Sequence, residues 1–214
     1  MDEVNQIIST ISLSMGAAWA SGINLYATIL TLGVLGATGN MVLPPDLQIL
    51  TNPLVLGAAG LMFVVEFVAD KMPGVDTGWD SIHTFIRIPA GAMLAAGSLG
   101  EVNTAVTLTA AILGGTLAAG SHATKAGTRV LINTSPEPFS NWFASLAEDV
   151  AVIVGIWAAL AHPHVFLVML FILIVLMIWF LPKLWSGIKK VFSALGRFIS
   201  GSSTIREKDY EKGP

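Results

Sequence analysis

Six stretches of the chain are apolar enough to be read as helices in a bilayer: 7–36, 53–71, 75–99, 104–132, 139–161 and 164–182. A helix needs roughly 18 to 20 apolar residues to cross ~30 Å of hydrocarbon. The run from Val165 to Leu181 is the clearest case, since it carries no charge at all. Between the stretches lie short polar connections near 38–52, 100–103 and 162–164 on one side. The pattern predicts an all-α, membrane-embedded domain over 1–182, with about six transmembrane or re-entrant helices.

The third stretch departs from the rest. Pro73-Gly74 and Pro89 bracket Asp76, Trp79, Asp80, His83 and Arg87, which is too polar a set to face lipid. Charged segments at membrane depth survive when they are buried in protein or line a watered cavity, so an interfacial or re-entrant helix is expected here. The other stretches are dense in Gly and Ala, as in Gly57-Ala58-Ala59-Gly60, Gly114-Gly115 and Ala118-Ala119-Gly120. Small residues let helix backbones approach closely in lipid, and the same residues could instead break helices at Gly16, Ser21-Gly22 or Gly120-Ser121. Glu66 follows Pro53 by thirteen residues and Glu148 follows Pro136 by twelve, while Ser21 to Asn24 sits in the first stretch where Gly120 to His122 sits in the fourth. That suggests a three-plus-three repeat, which would be inverted and would place a site between the halves.

After residue 182 the pattern changes. Lys183, Lys189, Lys190 and Arg197 alternate with Trp185, Ile188, Phe192 and Leu195, as in a basic amphipathic helix lying in the headgroup layer over 183–200. Residues 201–214 read as a disordered tail.

Composition agrees with this class. The mean hydropathy is +0.73 and only 12% of residues are charged, against about 25% in a soluble domain. The net charge of −3 conceals an asymmetry: residues 1–182 carry four basic and eleven acidic side chains, −7, whereas 183–214 carry seven and three, +4. A basic end after the last span is expected in the cytoplasm, and with six crossings the N-terminus is expected there too. The first helix is read as part of the mature protein, because Asp2 and Glu3 do not make the basic start of a secretory signal. The absence of cysteine excludes disulfides and thiolate chemistry.

Two constellations carry the candidate chemistry. Glu66 and Asp70 are four residues apart, and Asp76, Asp80, His83 and Arg87 follow at spacings of four, three and four, so each set lines one helix face. His122, Lys125 and Arg129 form a second stripe, with Glu148 and Asp149 one stretch later. Ionisable groups at membrane depth must pair, share a proton or bind a cation. His83 could relay a proton, and His162 and His164 are expected to be exposed. The competing reading is that all these charges are ion pairs that lock helices together. Zinc-protease, phosphate-loop and serine-elbow motifs are missing, a metal is left open, no cofactor is expected, and the basic residues do not form a nucleic-acid surface.

The run Glu66 to Ala92, with Ala69-Asp70-Lys71-Met72-Pro73, Asp76, Trp79-Asp80, His83-Thr84, Arg87 and Pro89-Ala90-Gly91-Ala92, resembles a bacterial membrane-protein family known as domain of unknown function 4126. The resemblance implies a multispanning inner-membrane protein and no established activity. The sequence thus points to a small transporter or channel with a polar route for protons, ions or a small anionic solute. The alternatives are a membrane-embedded enzyme acting on a lipid head group and a structural scaffold. The expected partners are the lipid bilayer, an ion or solute, and a second copy in a homodimer.

Overall fold

The computed structural model describes residues 3–72, 74–134 and 139–210, with side chains up to 193. Its elements are α1 (Glu3–Ile23), α2 (Leu25–Ala37), a 3-10 turn (Pro45–Thr51), α3 (Pro53–Ala69), α4 (Val75–Gly97), α5 (Thr104–Ile132), α6 (Phe139–Ala161) and α7 (Pro163–Tyr210). Among the described residues there is no strand. The helix ends carry local signals: Asn52 and Asn103 cap α3 and α5 by accepting from Leu54 N and Val106 N, and Pro53 starts α3 where its missing N–H costs nothing.

Three helices, α5, α6 and the 163–193 part of α7, are long and apolar enough to cross a membrane, and a fourth span results if the 3-10 turn and α3, bent by 67°, count as one. Part of the interior is also charged, and much of the surface is apolar. Arg87 and Arg129 lead the largest fully buried side chains, while Phe85 is 82% exposed. Water would reverse that distribution, and hydrocarbon demands it.

Packing contacts give each helix a direction. Ser14 Oγ donates to Ala95 O at 2.9 Å and Ser21 lies against Gly91, so α1 runs antiparallel to α4. Ser12 Oγ donates to Ala159 O at 2.8 Å and Asn24 Nδ2 to Asp149 Oδ1 at 2.8 Å, so α1 is antiparallel to α6 as well. Leu30 lies beside Gly60 and Leu56 beside Gly33, so α2 runs antiparallel to α3 and back toward the end from which α1 came. Residues 3–37 are therefore a helical hairpin with its tip at Asn24, not the single crossing expected over 7–36. Asn24 makes the reversal by leaving helical geometry (φ −144°, ψ 100°) while its side chain accepts from Ala27 N and caps α2. α1 and α5 both stay helical through Gly16 and Gly120-Ser121.

The hairpin corrects two further expectations. Gly120 lies against Met177 and Gly127 against Leu184, so α7 runs parallel to α5. The 163–193 part of α7 thus ends at the opposite end of the bundle from the start of α1, whereas six crossings would bring them to the same end. An inverted repeat requires opposed directions; α3 and α6 have them, but α1 and α5 run parallel, with Ala18 beside Gly114 and Gly22 beside Ala118. Pro136, on which the repeat's spacing rested, lies outside the described residues.

α4 is one unbroken helix rather than a re-entrant pair. Asp76, Asp80, His83 and Arg87 are buried on one stripe, and Ile82, Phe85 and Met93 are exposed on the other face. A segment that looks too polar for lipid by average composition is thus suitable for it by face. α7 continues without interruption past Pro182 to Tyr210, across positions expected to be an interfacial helix and a tail. Lys183, Lys189 and Lys190 are exposed on it, Lys183 Nζ standing 2.9 Å from the Trp179 ring centroid. Arg197 lies outside the described side chains, and 211–214 lie outside the described residues.

A buried charge cluster as candidate functional site

The cluster forms where the C-terminal parts of α3 and α5 meet the N-terminal parts of α4 and α6, under the tip of the hairpin. Lys125 of α5 is its hub. Its Nζ donates to Asp70 Oδ2 at 2.6 Å, Glu66 Oε1 at 3.2 Å and Ile23 O at 3.2 Å, and it lies 3.8 Å from Asp80 Oδ1 and 3.7 Å from Glu148 Oε2. One ammonium thus stands within 4 Å of four carboxylates, three of them buried and Glu148 18% exposed. The C-terminal carbonyl of α1 points at the same ammonium, where a helix's negative end is stabilising.

Two arginines flank the hub. Arg87 pairs with Glu66 through Nη2, and its Nη1 donates to Asp80 Oδ1 at 3.0 Å and to His122 Nδ1 at 3.0 Å. Since a guanidinium only donates, His122 Nδ1 accepts and its proton sits on Nε2, which faces Asp80 O at 3.1 Å and Thr84 Oγ1 at 2.8 Å. Arg129 Nη2 donates to Glu148 Oε2 at 2.6 Å, and Nη1 to Asn141 O at 2.9 Å and Asp70 O at 3.3 Å. Asp149 is held by the hairpin tip through Asn24.

Glu66, Asp70, Asp80, Arg87, His122, Lys125, Arg129, Glu148 and Asp149 are thus brought together, as the two stripes suggest. Asp76 and His83 stand apart. Asp76 ties the start of α4 to the end of α5, accepting from Gly74 N at 2.8 Å and from Asn133 Nδ2 at 2.8 Å. His83 Nδ1 donates to Trp79 O at 2.9 Å, so its Nε2 accepts from Tyr26 OH at 3.0 Å. Its described hydrogen bonds thus go to neither a carboxylate nor the hub. His162 and His164 are exposed. Sequence reasoning passes over Asn141 and Asn133, which extend Arg129 toward Asp76 by a hydrogen bond of 2.6 Å between them. A polar amide at each helix end was the only signal.

The charges do not balance. Glu66, Asp70, Asp80 and Glu148 face Arg87, Lys125 and Arg129, one acid too many, while Asp149 has the charge of Lys71 to set against its own. Four carboxylate oxygens, Glu66 Oε2, Asp70 Oδ1, Asp80 Oδ2 and Asp149 Oδ2, and two guanidinium donors, Arg87 Nε and Arg129 Nε, are buried without a hydrogen-bond partner. Buried polar atoms are nearly always satisfied, and with one acid in surplus and four free acceptors against two free donors the cluster has capacity for added positive charge. Among the described residues no group of three His, Asp or Glu side chains converges as a metal site.

Comparison with known proteins returns a single kind of result. No curated protein and no solved structure matches the chain. A family model does, over residues 11–183, and covers the hairpin, the cluster and the apolar part of α7. The chain belongs to the family described as Domain of unknown function (DUF4126).

Proposed function

We propose that this protein is a small multi-pass transporter that carries protons or a small cation on the acid surplus of its buried cluster. The acid surplus itself, with its unpartnered carboxylate oxygens, supports this reading most directly. An uncompensated buried carboxylate costs several kcal/mol, and protonation or cation binding removes that cost. An anionic solute fits less well, because all three ammonium and guanidinium groups already pair with acids and keep only Arg87 Nε and Arg129 Nε as free donors. For the same reason they are poor candidates for chemistry on a lipid head group.

Alternating access fits better than an open channel. The cluster occupies one half of the bundle, and Ala17, Ala18 and Ala20 of the hairpin close the other together with Ala95 of α4, all fully buried. A hairpin tip at mid-depth beside the ionisable groups is a recurrent transporter arrangement, with non-helical backbone tolerated because protein surrounds it. In the bacterial inner membrane, the cluster end would face the cytoplasm. Lys71 and the basic continuation of α7 lie at that end, and the connections of the other end lack Lys and Arg. α3 to α7 would then cross five times, with the hairpin entering from outside.

The test is flux in liposomes. Purified protein reconstituted with a pH-sensitive dye inside should pass protons down an imposed gradient, and Glu66→Gln or Asp80→Asn should lower the rate at least about tenfold, the scale of a lost essential proton carrier. Unchanged flux in variants that have only lost thermal stability would leave a scaffold as the better reading.

A further inference from the structure

The cluster has a side entrance. A cavity of about 320 Å³ lies among α1, α5, α6 and α7 and reaches Lys125 and Glu148 at its inner end. Its walls are otherwise nearly all apolar, and its volume is at the lower end of organic-ligand pockets, roughly 300 to 1,000 Å³. Two residues on its rim, Leu176 and Phe180, are 51% and 36% exposed on the α7 surface that lipid would cover. A ligand would therefore enter from the hydrocarbon.

The polar atoms that line the cavity accept hydrogen bonds and have few donors to offer. Thr124 and Thr128 have spent their hydroxyl hydrogens on Gly120 O at 2.9 Å and Thr124 O at 2.7 Å, and Ser121 has spent its own on Trp19 O at 3.0 Å. The three donors of Lys125 go to Asp70, Glu66 and Ile23. What remains is hydroxyl lone pairs, the carboxylate of Glu148, the rings of Trp19 and Phe180, and one donor, the indole N–H of Trp19. Aromatic faces and carboxylates both attract cations.

We infer that this cavity binds an apolar organic cation drawn from the bilayer, with its charge at Glu148 and its body against α7. The inference rests on the transport reading and names a substrate class for it. An anion of the same shape would meet the acid surplus with only the Trp19 N–H to offset it. A neutral apolar molecule would fill the walls and leave that surplus unanswered.

The test uses full-length protein in detergent and two ions of matched shape, tetraphenylphosphonium and tetraphenylborate, with binding followed by equilibrium dialysis. Saturable binding of the cation at least about tenfold tighter than of the anion is expected. Glu148→Gln should weaken the cation about tenfold. Because that change also unpairs Arg129, a second variant is needed: Leu173→Trp fills the cavity without touching a charge and should weaken the cation as much. Equal affinity for both ions, or cation binding unmoved by Leu173→Trp, overturns the inference. Proton flux without cation binding removes this site and leaves the transporter; cation binding without flux of any ion removes the transporter and leaves the site.

Discussion

The two halves of the bundle solve the same problem, holding helices together in oil, by opposite means. In the hairpin half, backbones come close enough for serine hydroxyls to reach carbonyls of other helices, as Ser12 and Ser14 do, and the interior is alanine, glycine and leucine. In the cluster half, helices are linked by charges whose nearest atoms lie on different elements: Lys125 of α5 touches α1 and α3, Arg87 of α4 touches α3 and α5, and Arg129 of α5 touches α6. In the first half the serine hydroxyls are satisfied by carbonyls of neighbouring helices. The second keeps unpartnered acceptors, at a cost in stability that only function or a bound cation would offset.

Removal of the hub should break the cluster half hardest. Lys125→Met leaves Glu66 and Asp70 without their shared ammonium and is expected to destabilise the protein by roughly 3 to 5 kcal/mol, read as thermal unfolding in detergent. Adding Asp70→Asn should recover part of the loss, since it lowers the acid surplus that the first change exposed. A double variant no better than Lys125→Met alone would mean that Lys125 contributes packing rather than charge.

Asn24 joins the two halves, and its effect should be intermediate. Asn24→Ala removes the cap of α2, about 1 kcal/mol, and strips Asp149 Oδ1 of its donor when Oδ2 already lacks one, about 1 to 3 kcal/mol more. Pairing it with Asp149→Leu should cost less than the sum of the two single changes, because the second removes the orphaned group. Strict additivity would show that the hairpin tip is not held by that bond.

How far the sequence reveals this differs between the halves. Helix limits are legible because apolar length and caps mark them: the stretches read as 104–132 and 139–161 are α5 and α6 to the residue. The composition of the cluster is legible too, since spacings of three and four place charges on common faces. The direction of the chain is not. Hydropathy counts apolar residues without recording which way they run, so a hairpin of 21 and 13 residues reads as one long span. Its only local sign is Asn24, a single amide in an apolar run. The faces of α4 are hidden for a related reason: an average over 75–99 mixes a buried charged stripe with an exposed apolar face, and only the neighbours α1, α3 and α5 decide which face is which.

The smallest expected effect separates close packing from mere glycine content. A Cβ at Gly22 would collide with Ser121 Oγ and with the backbone carbonyl of Ala118, and the carbonyl cannot swing aside. A Cβ at Gly57 would meet nothing within 4 Å. Alanine is the better helix former, so Gly57→Ala should raise stability by about 0.5 to 1 kcal/mol, whereas Gly22→Ala should lower it by about 1 to 3 kcal/mol despite the same propensity gain. Both variants leave every charged pair in place, so cation binding and flux per folded molecule should stay unchanged in Gly57→Ala. If the two glycines responded alike in thermal unfolding, the approach of α1 to α5 would not depend on the missing side chain, and the contrast between a packed half and a charged half would lose its structural basis.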